Sequence, residues 1–213
     1  MKTDELVTML AAGAGAVEPG ATARRYASAL GWGAFGATLL MAIVLGVRPD
    51  LAQAARLPMF WLKLAFPACV AAGALYAVAR LSRPGVQLGS VSAALAAPVL
   101  AMWLLAAFVL FTAAAGEREA LIFGGTWNAC PLLVALLSLP LFAAAMWAMK
   151  GLAPTRLALA GAAAGLLAGS AGALIYALHC PEMEAPFLAT WYLLGMLIPT
   201  AVGALVGPRL LRW

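Results

Sequence analysis

Two cysteines of this chain stand directly before a proline, and each lies at one end of a long apolar run. The first belongs to Thr126-Trp127-Asn128-Ala129-Cys130-Pro131 and the second to His179-Cys180-Pro181-Glu182. Two thiols in an oxidising compartment can form a disulfide if their Cα atoms approach within roughly 7 Å. Thiols also ligate soft metal ions. Cys130 and Cys180 are therefore candidates for a pair that senses redox state or metal.

His179, the single histidine of the chain, is the direct neighbour of Cys180. Together with Cys130 it would complete a Cys, Cys, His ligand set for a soft or borderline metal ion. The spacing matches no zinc pattern, and a lone histidine is more often a hydrogen-bonding residue than a ligand. A disulfide and a metal ion at the pair both stay open, and no other cofactor is predicted.

The composition indicates a membrane protein. Of 213 residues, 65% are hydrophobic and 10% charged, and the mean hydropathy is +0.99, whereas soluble domains carry about a quarter charged residues. Six apolar runs are long enough to cross a hydrocarbon core about 30 Å thick; they cover approximately residues 28–47, 60–79, 91–115, 129–149, 157–178 and 187–206. The sequence therefore predicts an all-α fold, a six-helix transmembrane bundle of residues 28–213 in a lipid bilayer, preceded by a cytoplasmic segment, residues 1–27.

The distribution of basic residues predicts the orientation of the bundle. With both termini in the cytoplasm, nine of the 13 Lys and Arg residues lie on the inner side, as the positive-inside rule requires. Cys130 and Cys180 then lie on the outer side. The net charge of +5 is spread through the loops without interleaved aromatic residues, which argues against direct nucleic-acid binding.

The N-terminal segment contains one short amphipathic pattern. Leu6, Met9 and Leu10 recur at i, i+3 and i+4, the spacing of one helix face. A helix this short is marginal in isolation. It is either a solvated stub on the bilayer surface, which the pattern alone favours, or a helix that binds a partner.

Two residues within the second apolar run could carry chemistry. Lys63 is ionisable, which makes it a functional candidate inside a span, but it lies close enough to the end to extend to the headgroups. We expect this snorkelling; pairing with Asp50 or an outer glutamate is the alternative. Cys69 lies about 13 Å into the bilayer at the helical rise per residue, where we expect it to behave as a small apolar residue.

Other patterns predict packing and exclude several chemistries. Gly161, Gly165 and Gly169 share one helix face, on which another helix can approach closely. The chain has no Cys-x-x-Cys motif and no phosphate-binding glycine loop, and its single histidine is not accompanied by a Ser-His-Asp set. Without a mid-span acidic residue, ion coupling is also unsupported. We therefore predict no enzymatic activity.

Several motifs occur in one order along nearly the whole chain. They are the start Met1-Lys2-Thr3-Asp4-Glu5-Leu6, Gly46-Val47-Arg48-Pro49-Asp50-Leu51, Phe60-Trp61-Leu62-Lys63-Leu64, Thr126-Trp127 with Cys130-Pro131-Leu132-Leu133, Ala153-Pro154-Thr155, and Tyr176-Ala177-Leu178-His179-Cys180-Pro181-Glu182 with Trp191-Tyr192. In this order they resemble the NrsF family, negative regulators of sigma factor F. The two Cys-Pro motifs are the most specific part of the resemblance.

The resemblance implies a six-span anti-sigma factor of the bacterial inner membrane. Such a protein holds an extracytoplasmic-function sigma factor inactive on the cytoplasmic side until heavy-metal or oxidative stress releases it. The resemblance assigns sensing to Cys130 and Cys180, and it favours the face of Leu6, Met9 and Leu10 as a sigma contact.

Two other functions stay open. One is a membrane thiol–disulfide redox protein that passes electrons to quinone, against which the missing Cys-x-x-Cys motif counts. The other is a small metal transporter, against which the lack of charge and ligands within the spans counts.

Overall fold

The structure, a computed structural model, describes residues 3–12, 20–83, 85–152 and 154–212. These ranges contain nine helices and no strand. The helices are α1 Thr3–Ala12, α2 Ala21–Leu45, α3 Leu51–Ala54, α4 Pro58–Leu81, α5 Val91–Thr112, α6 Arg118–Phe123, α7 Cys130–Lys150, α8 Leu157–Tyr176 and α9 Ala185–Leu210. Both α2 and α9 include a five-residue π-helical turn, at Met41–Leu45 and Leu188–Tyr192.

Six of these helices, α2, α4, α5, α7, α8 and α9, are long and apolar enough to cross a membrane. This confirms the predicted all-α, six-span architecture. The first span begins at Ala21 instead of residue 28, because the helix continues through Arg25 and Tyr26. Both side chains find polar partners on neighbouring helices: Arg25 donates to the carbonyl of Ala148 at 3.0 Å, and the Tyr26 hydroxyl lies 3.0 Å from that of Ser82.

Helix α8 is the central helix of the bundle and packs against α4, α7 and α9. It is built almost entirely from alanine, glycine and leucine, and its small side chains allow three neighbours to approach its axis. Around it, α2 packs on α7 and α5 packs on α4. The two helices that border the cysteine loops, α7 and α8, are therefore fixed in the middle of the molecule.

The contact between α8 and α9 is made largely by backbone. A methyl group on Gly161 would collide with the carbonyl oxygen of Gly203, and one on Gly165 with that of Pro199. A methyl group on Gly169 would lie 2.8 Å from the carbonyl oxygen of Met196. The predicted packing role of the glycine face is thus confirmed, and the helix that approaches it is the sixth span.

We expect Gly165→Ala to lower the free energy of unfolding by about 1–3 kcal/mol, the usual cost of overpacking. The added methyl must push away the backbone of Pro199. Gly31 in α2 is the matched control, because a methyl group there meets no atom within 4 Å and alanine is the better helix former. Thermal unfolding in detergent, followed by circular dichroism, measures both variants. Equal melting temperatures for Gly165→Ala and the wild type would contradict the tight contact.

Residues Thr3–Ala12 form a helix, α1. Every side chain of α1 is exposed, including Leu6 at 38%, Met9 at 59% and Leu10 at 66%. The apolar face therefore contributes nothing to the core of the bundle. Its role in binding a partner stays a prediction.

Candidate functional site

The two cysteines meet at one end of the bundle. Cys130 is the first residue of α7, and Pro131 occupies the first helical turn, where the missing N–H of proline has no cost. Cys180 follows the end of α8, and its N–H donates to the carbonyl of Tyr176 at 3.0 Å. The Tyr176 side chain interacts with both thiols. Residues 50 positions apart in the chain are thus neighbours around one phenol.

Both thiols are buried. Cys130 and Cys180 are each 0% exposed, and both are free cysteines in this structure. A position on the outer side suggests thiols open to solvent, but these are covered, because the large side chains of Tyr176, Phe187 and Tyr192 pack in the same core cluster. A reagent or ion can reach the two thiols only if the side chains packed around them move.

Tyr192 contributes an unusual polar atom to this cluster. Its side chain is fully buried, and its hydroxyl has no hydrogen-bond partner among the described residues. Its ring lies 5.8 Å from that of Tyr176, centroid to centroid. Neither tyrosine was predicted to belong to the site. Tyr176 could have been found, because it lies one helical turn before Cys180; the position of Tyr192 has no comparable signal.

Lys63 is fully buried beside the pair. Its ammonium donates to the carbonyl of Cys180 at 2.6 Å and to that of Glu182 at 2.8 Å, and it lies 5.6 Å from the centre of the Tyr192 ring. The prediction that Lys63 snorkels is therefore wrong, because these carbonyls provide acceptors inside the bundle. The alternative, a carboxylate partner, does not apply either, since Asp50 pairs elsewhere and Glu182 offers its backbone.

Arg48 holds the same loop from another side. Its guanidinium donates to the Cys180 carbonyl at 3.2 Å, and its backbone N–H donates to the carbonyl of Leu178 at 3.1 Å. The Nε–H and Nη2–H groups of the same guanidinium donate to the Asp50 carboxylate, each at 2.7 Å. These hydrogen bonds lower the pKa of Asp50 and raise the pKa of Arg48. Both groups therefore remain charged over the physiological pH range.

Glu182 links the two cysteine loops. Its carboxylate accepts a hydrogen bond from the N–H of Gly125 at 2.8 Å and one from the Thr126 hydroxyl at 3.3 Å. Gly124 has a φ of +55°, and a methyl group there would lie 2.7 Å from the same carboxylate. Glycine is therefore required at this position for both its conformation and its size. The segment before Cys130 and the segment after Cys180 cannot move independently while this carboxylate is bound.

His179 faces away from a shared metal position. Its Nδ1–H donates to the carbonyl of Gly46 at 2.9 Å, and its ring lies 5.8 Å from that of Tyr176. In the part of the chain that the structure describes, no three His, Cys, Asp or Glu side chains are grouped as metal ligands. The thiols of Cys130 and Cys180 could hold a soft ion without His179. The metal alternative stays a prediction. Cys69 is exposed and lies against α5, apart from this cluster.

Aromatic side chains cover the cysteine end. Trp127 and Trp191 have ring centroids 5.2 Å apart, and Phe123 lies 5.4 Å from Trp127. The Trp191 indole N–H donates to the carbonyl of Ile122 at 2.8 Å, so α9 is tied to α6. The cover therefore consists of Phe123 and Trp127, from the segment before Cys130, and Trp191 of α9.

The opposite end of α7 is bound to the start of α2. The Arg25 guanidinium donates to the carbonyls of Trp147 and Ala148, each at 3.0 Å, and lies 4.4 Å from the centre of the Trp147 ring. A cation at the carboxyl end of a helix satisfies its last carbonyls and opposes its dipole favourably. Helix α7 therefore connects Cys130 at one end of the bundle to α2 at the other.

Comparison with known proteins supplies the family. A family model described as a negative regulator of sigma F matches residues 10–213. The chain belongs to the NrsF family. It is 62% identical over 213 residues to the probable anti-sigma-F factor NrsF of Azospira oryzae, and 40% identical over 225 aligned residues to the anti-sigma-F factor NrsF of Caulobacter vibrioides. Both alignments cover the whole of both chains. No solved structure matches the chain.

The resemblance to NrsF that the sequence motifs indicated is thereby confirmed. The NrsF match includes both cysteine loops and Lys63, and it begins at Leu10, so most of α1 precedes it. Membership of a family of negative regulators indicates a regulatory protein and not an enzyme.

Proposed function

We propose that this chain is an anti-sigma factor of the bacterial inner membrane, with both termini in the cytoplasm. It sequesters an extracytoplasmic-function sigma factor there and releases it on heavy-metal or oxidative stress. Its relatives' names as anti-sigma-F factors support the partner. The observation that carries the sensing part is the burial of two free thiols around Tyr176, where two separate loops meet.

The chemistry at the pair is a change of thiol state. In oxidation, Cys130 and Cys180 together lose two protons and two electrons to the oxidant and form one S–S bond. In metal binding, a soft ion displaces one proton from each thiol and bridges the sulfurs. A disulfide brings the sulfurs to roughly 2.05 Å, closer than two free thiols can lie, so the loops that carry them shift. Because Glu182 bonds to the segment before Cys130, one loop shifts with the other.

The shift has a physical route to the sigma factor. Cys130 begins α7, and the far end of α7 is bound by Arg25 at the start of α2. Residues 13–20 separate that start from α1, whose face of Leu6, Met9 and Leu10 is exposed. In this proposal the signal changes how α1 and the basic inner loops are presented. The signalled state must bind the sigma factor more weakly than the resting state.

Membrane retention of the sigma factor tests the proposal. The chain is co-expressed with the sigma-F-type factor of its own organism, and the factor is quantified in membrane and soluble fractions. We expect most of the factor in the membrane fraction, with transcription of a sigma-dependent reporter at least about tenfold lower than without the chain, equivalent to about 1.4 kcal/mol of sequestration. Cadmium or an oxidant should return both the membrane-bound fraction of the sigma factor and the reporter transcription to their levels without the chain.

The control is an unrelated six-span protein expressed at the same level, which should retain no sigma factor. A sigma factor that stays soluble and active beside normal amounts of the chain would refute the proposal. Retention that is indifferent to metal and oxidant would leave an anti-sigma factor but refute the sensing assignment.

A further inference from the structure

The ammonium of Lys63 depends on a single loop for its hydrogen bonds. Both acceptors, the carbonyls of Cys180 and Glu182, belong to the bend that joins α8 to α9. Across the described residues, no carboxylate lies within salt-bridge distance of this ammonium. The ammonium also lies 5.6 Å from the centre of the Tyr192 ring. If the bend moves, Lys63 loses every hydrogen bond it has.

The charge of Lys63 makes this dependence costly. An ammonium left buried without acceptors strongly destabilises a protein, and more so within a membrane span. Two of the charged groups around it pair with each other, Arg48 with Asp50, and the carboxylate of Glu182 binds the segment before Cys130. The other titratable groups that face it are the side chains of Cys130, Cys180, Tyr176 and Tyr192. Among these, no side chain replaces the two carbonyls.

Lys63 lies near one end of its helix. Lys63 lies in the second turn of α4, close to the end where the indole N–H of Trp61 reaches the carbonyl of Ala55 at 2.9 Å. A lysine this near a helix end can extend its long stem to the bilayer surface. In the structure the side chain is inserted under the bend; extended outward, its ammonium would meet the headgroups instead.

We propose that Lys63 is the positioning residue of the cysteine site. Inserted, its ammonium holds the Cys180 bend inside the bundle and keeps the thiol covered. When a thiol is modified and the bend shifts, the ammonium leaves the carbonyls and turns to the bundle end, which prevents the bend from closing again. The inference takes the cysteine pair as the sensing site of the proposed function, but it is tested on the purified chain without a sigma factor.

The first test measures protection of the Cys180 thiol. Chains carrying Cys69→Ala are placed in nanodiscs and treated with a membrane-impermeant maleimide, and modification of Cys180 is followed by mass spectrometry. We expect Cys180 to be labelled at least about tenfold faster in the Lys63→Met variant than in the wild type. Methionine keeps the length of the side chain but loses the charge, so two charge-assisted hydrogen bonds are lost. Lys63→Arg keeps donors and charge and should label within about threefold of the wild-type rate.

The outcomes of this test separate positioning from simple packing. Lys150→Met, at the exposed end of α7, is the matched control and should leave Cys180 protected. Equal protection in Lys63→Met and the wild type would refute the proposal. Labelling of Lys63→Arg as fast as Lys63→Met would also refute it, because only the shape of the wild-type side chain would then matter.

The second test uses the chain with Lys63 intact and therefore does not depend on the folding of a variant. An impermeant amine-acetylating reagent is applied in detergent, and acetylation of Lys63 is compared with that of the exposed Lys150 in the same sample. We expect Lys63 to react at least about tenfold more slowly, as buried hydrogen-bonded amines do. Acetylation at the Lys150 rate would overturn the proposal.

The same sample is then treated with N-ethylmaleimide, in which the sulfur bonds to a ring carbon and the thiol proton moves to the adjacent carbon. Once Cys180 is alkylated, acetylation of Lys63 should rise at least about tenfold while that of Lys150 stays constant. Lys63 that stays protected in the alkylated chain would overturn the release step. None of these labelling and acetylation experiments involves sigma binding. A negative result in them would therefore refute the role of Lys63 and leave the proposed function standing. Failure of the chain to retain a sigma factor would in turn leave the role of Lys63 standing.

Discussion

Replacing Cys130 and Cys180 together by alanine should abolish the response to metal and oxidant while the sigma factor stays sequestered. Alanine can neither form an S–S bond nor ligate a soft ion. Both positions lie in an apolar cluster, where alanine loses little packing and, unlike serine, adds no unsatisfied hydroxyl. The measurement is reporter induction by cadmium and by an oxidant, which should fall from at least about tenfold to about one.

The single variants and Cys69 sharpen this prediction. If the signal is one bond or one ion shared by both sulfurs, Cys130→Ala and Cys180→Ala each lose the response as fully as the double variant, and the effects are not additive. Cys69→Ala is the matched control, because this thiol is exposed elsewhere on α4. Induction that persists in the double variant would show that the signal enters at another site.

Charged substitutions on the apolar face of α1 should weaken sigma binding at least about tenfold, the effect of losing an apolar anchor of about 1.5–3 kcal/mol. In the described structure Leu6 and Leu10 are one turn apart, exposed, and without a packing role. Leu6→Glu with Leu10→Glu therefore changes the binding face without opening the bundle. Co-purification of the sigma factor with membranes measures the effect.

The control for α1 lies on its opposite face. Ala11 is also exposed in the same helix, and Ala11→Glu adds a charge away from the face of Leu6, Met9 and Leu10. Its sigma binding should match that of the wild type. Equal binding by Leu6→Glu with Leu10→Glu would place the sigma contact outside α1, and equal loss in Ala11→Glu would indicate a nonspecific charge effect.

The sequence predicted the features that depend on local pattern. Apolar runs of about 20 residues identify spans because backbone in hydrocarbon must bond within its own helix. The four-residue spacing of Gly161, Gly165 and Gly169 likewise identified a close helix contact. The sequence did not identify Gly203 and Pro199 as the facing residues, because that contact depends on how two helices cross.

The sequence could not predict the inside of the cysteine site. A lysine near a span end usually reaches the headgroups, and the carbonyls that hold Lys63 inside come from residues 117 and 119 positions away. Backbone acceptors have no signature in a sequence, since every residue has one. The burial of Cys130 and Cys180 was missed for the same reason, because it depends on loops held by Lys63 and Arg48.

The backbone contact between α8 and α9 has a mechanical consequence. Cys180 lies in the bend that joins these helices, and the glycine contacts keep them from separating or sliding. If the two helices tilt together, Cys180 lies at the pivot and the far ends, near Leu157 and Leu210, move furthest. A tilt of about 5° over a 20-residue helix roughly 30 Å long moves the tips by about 3 Å. In the proposed function, a change at the thiols that tilts the two helices would therefore separate side chains in contact at the far face.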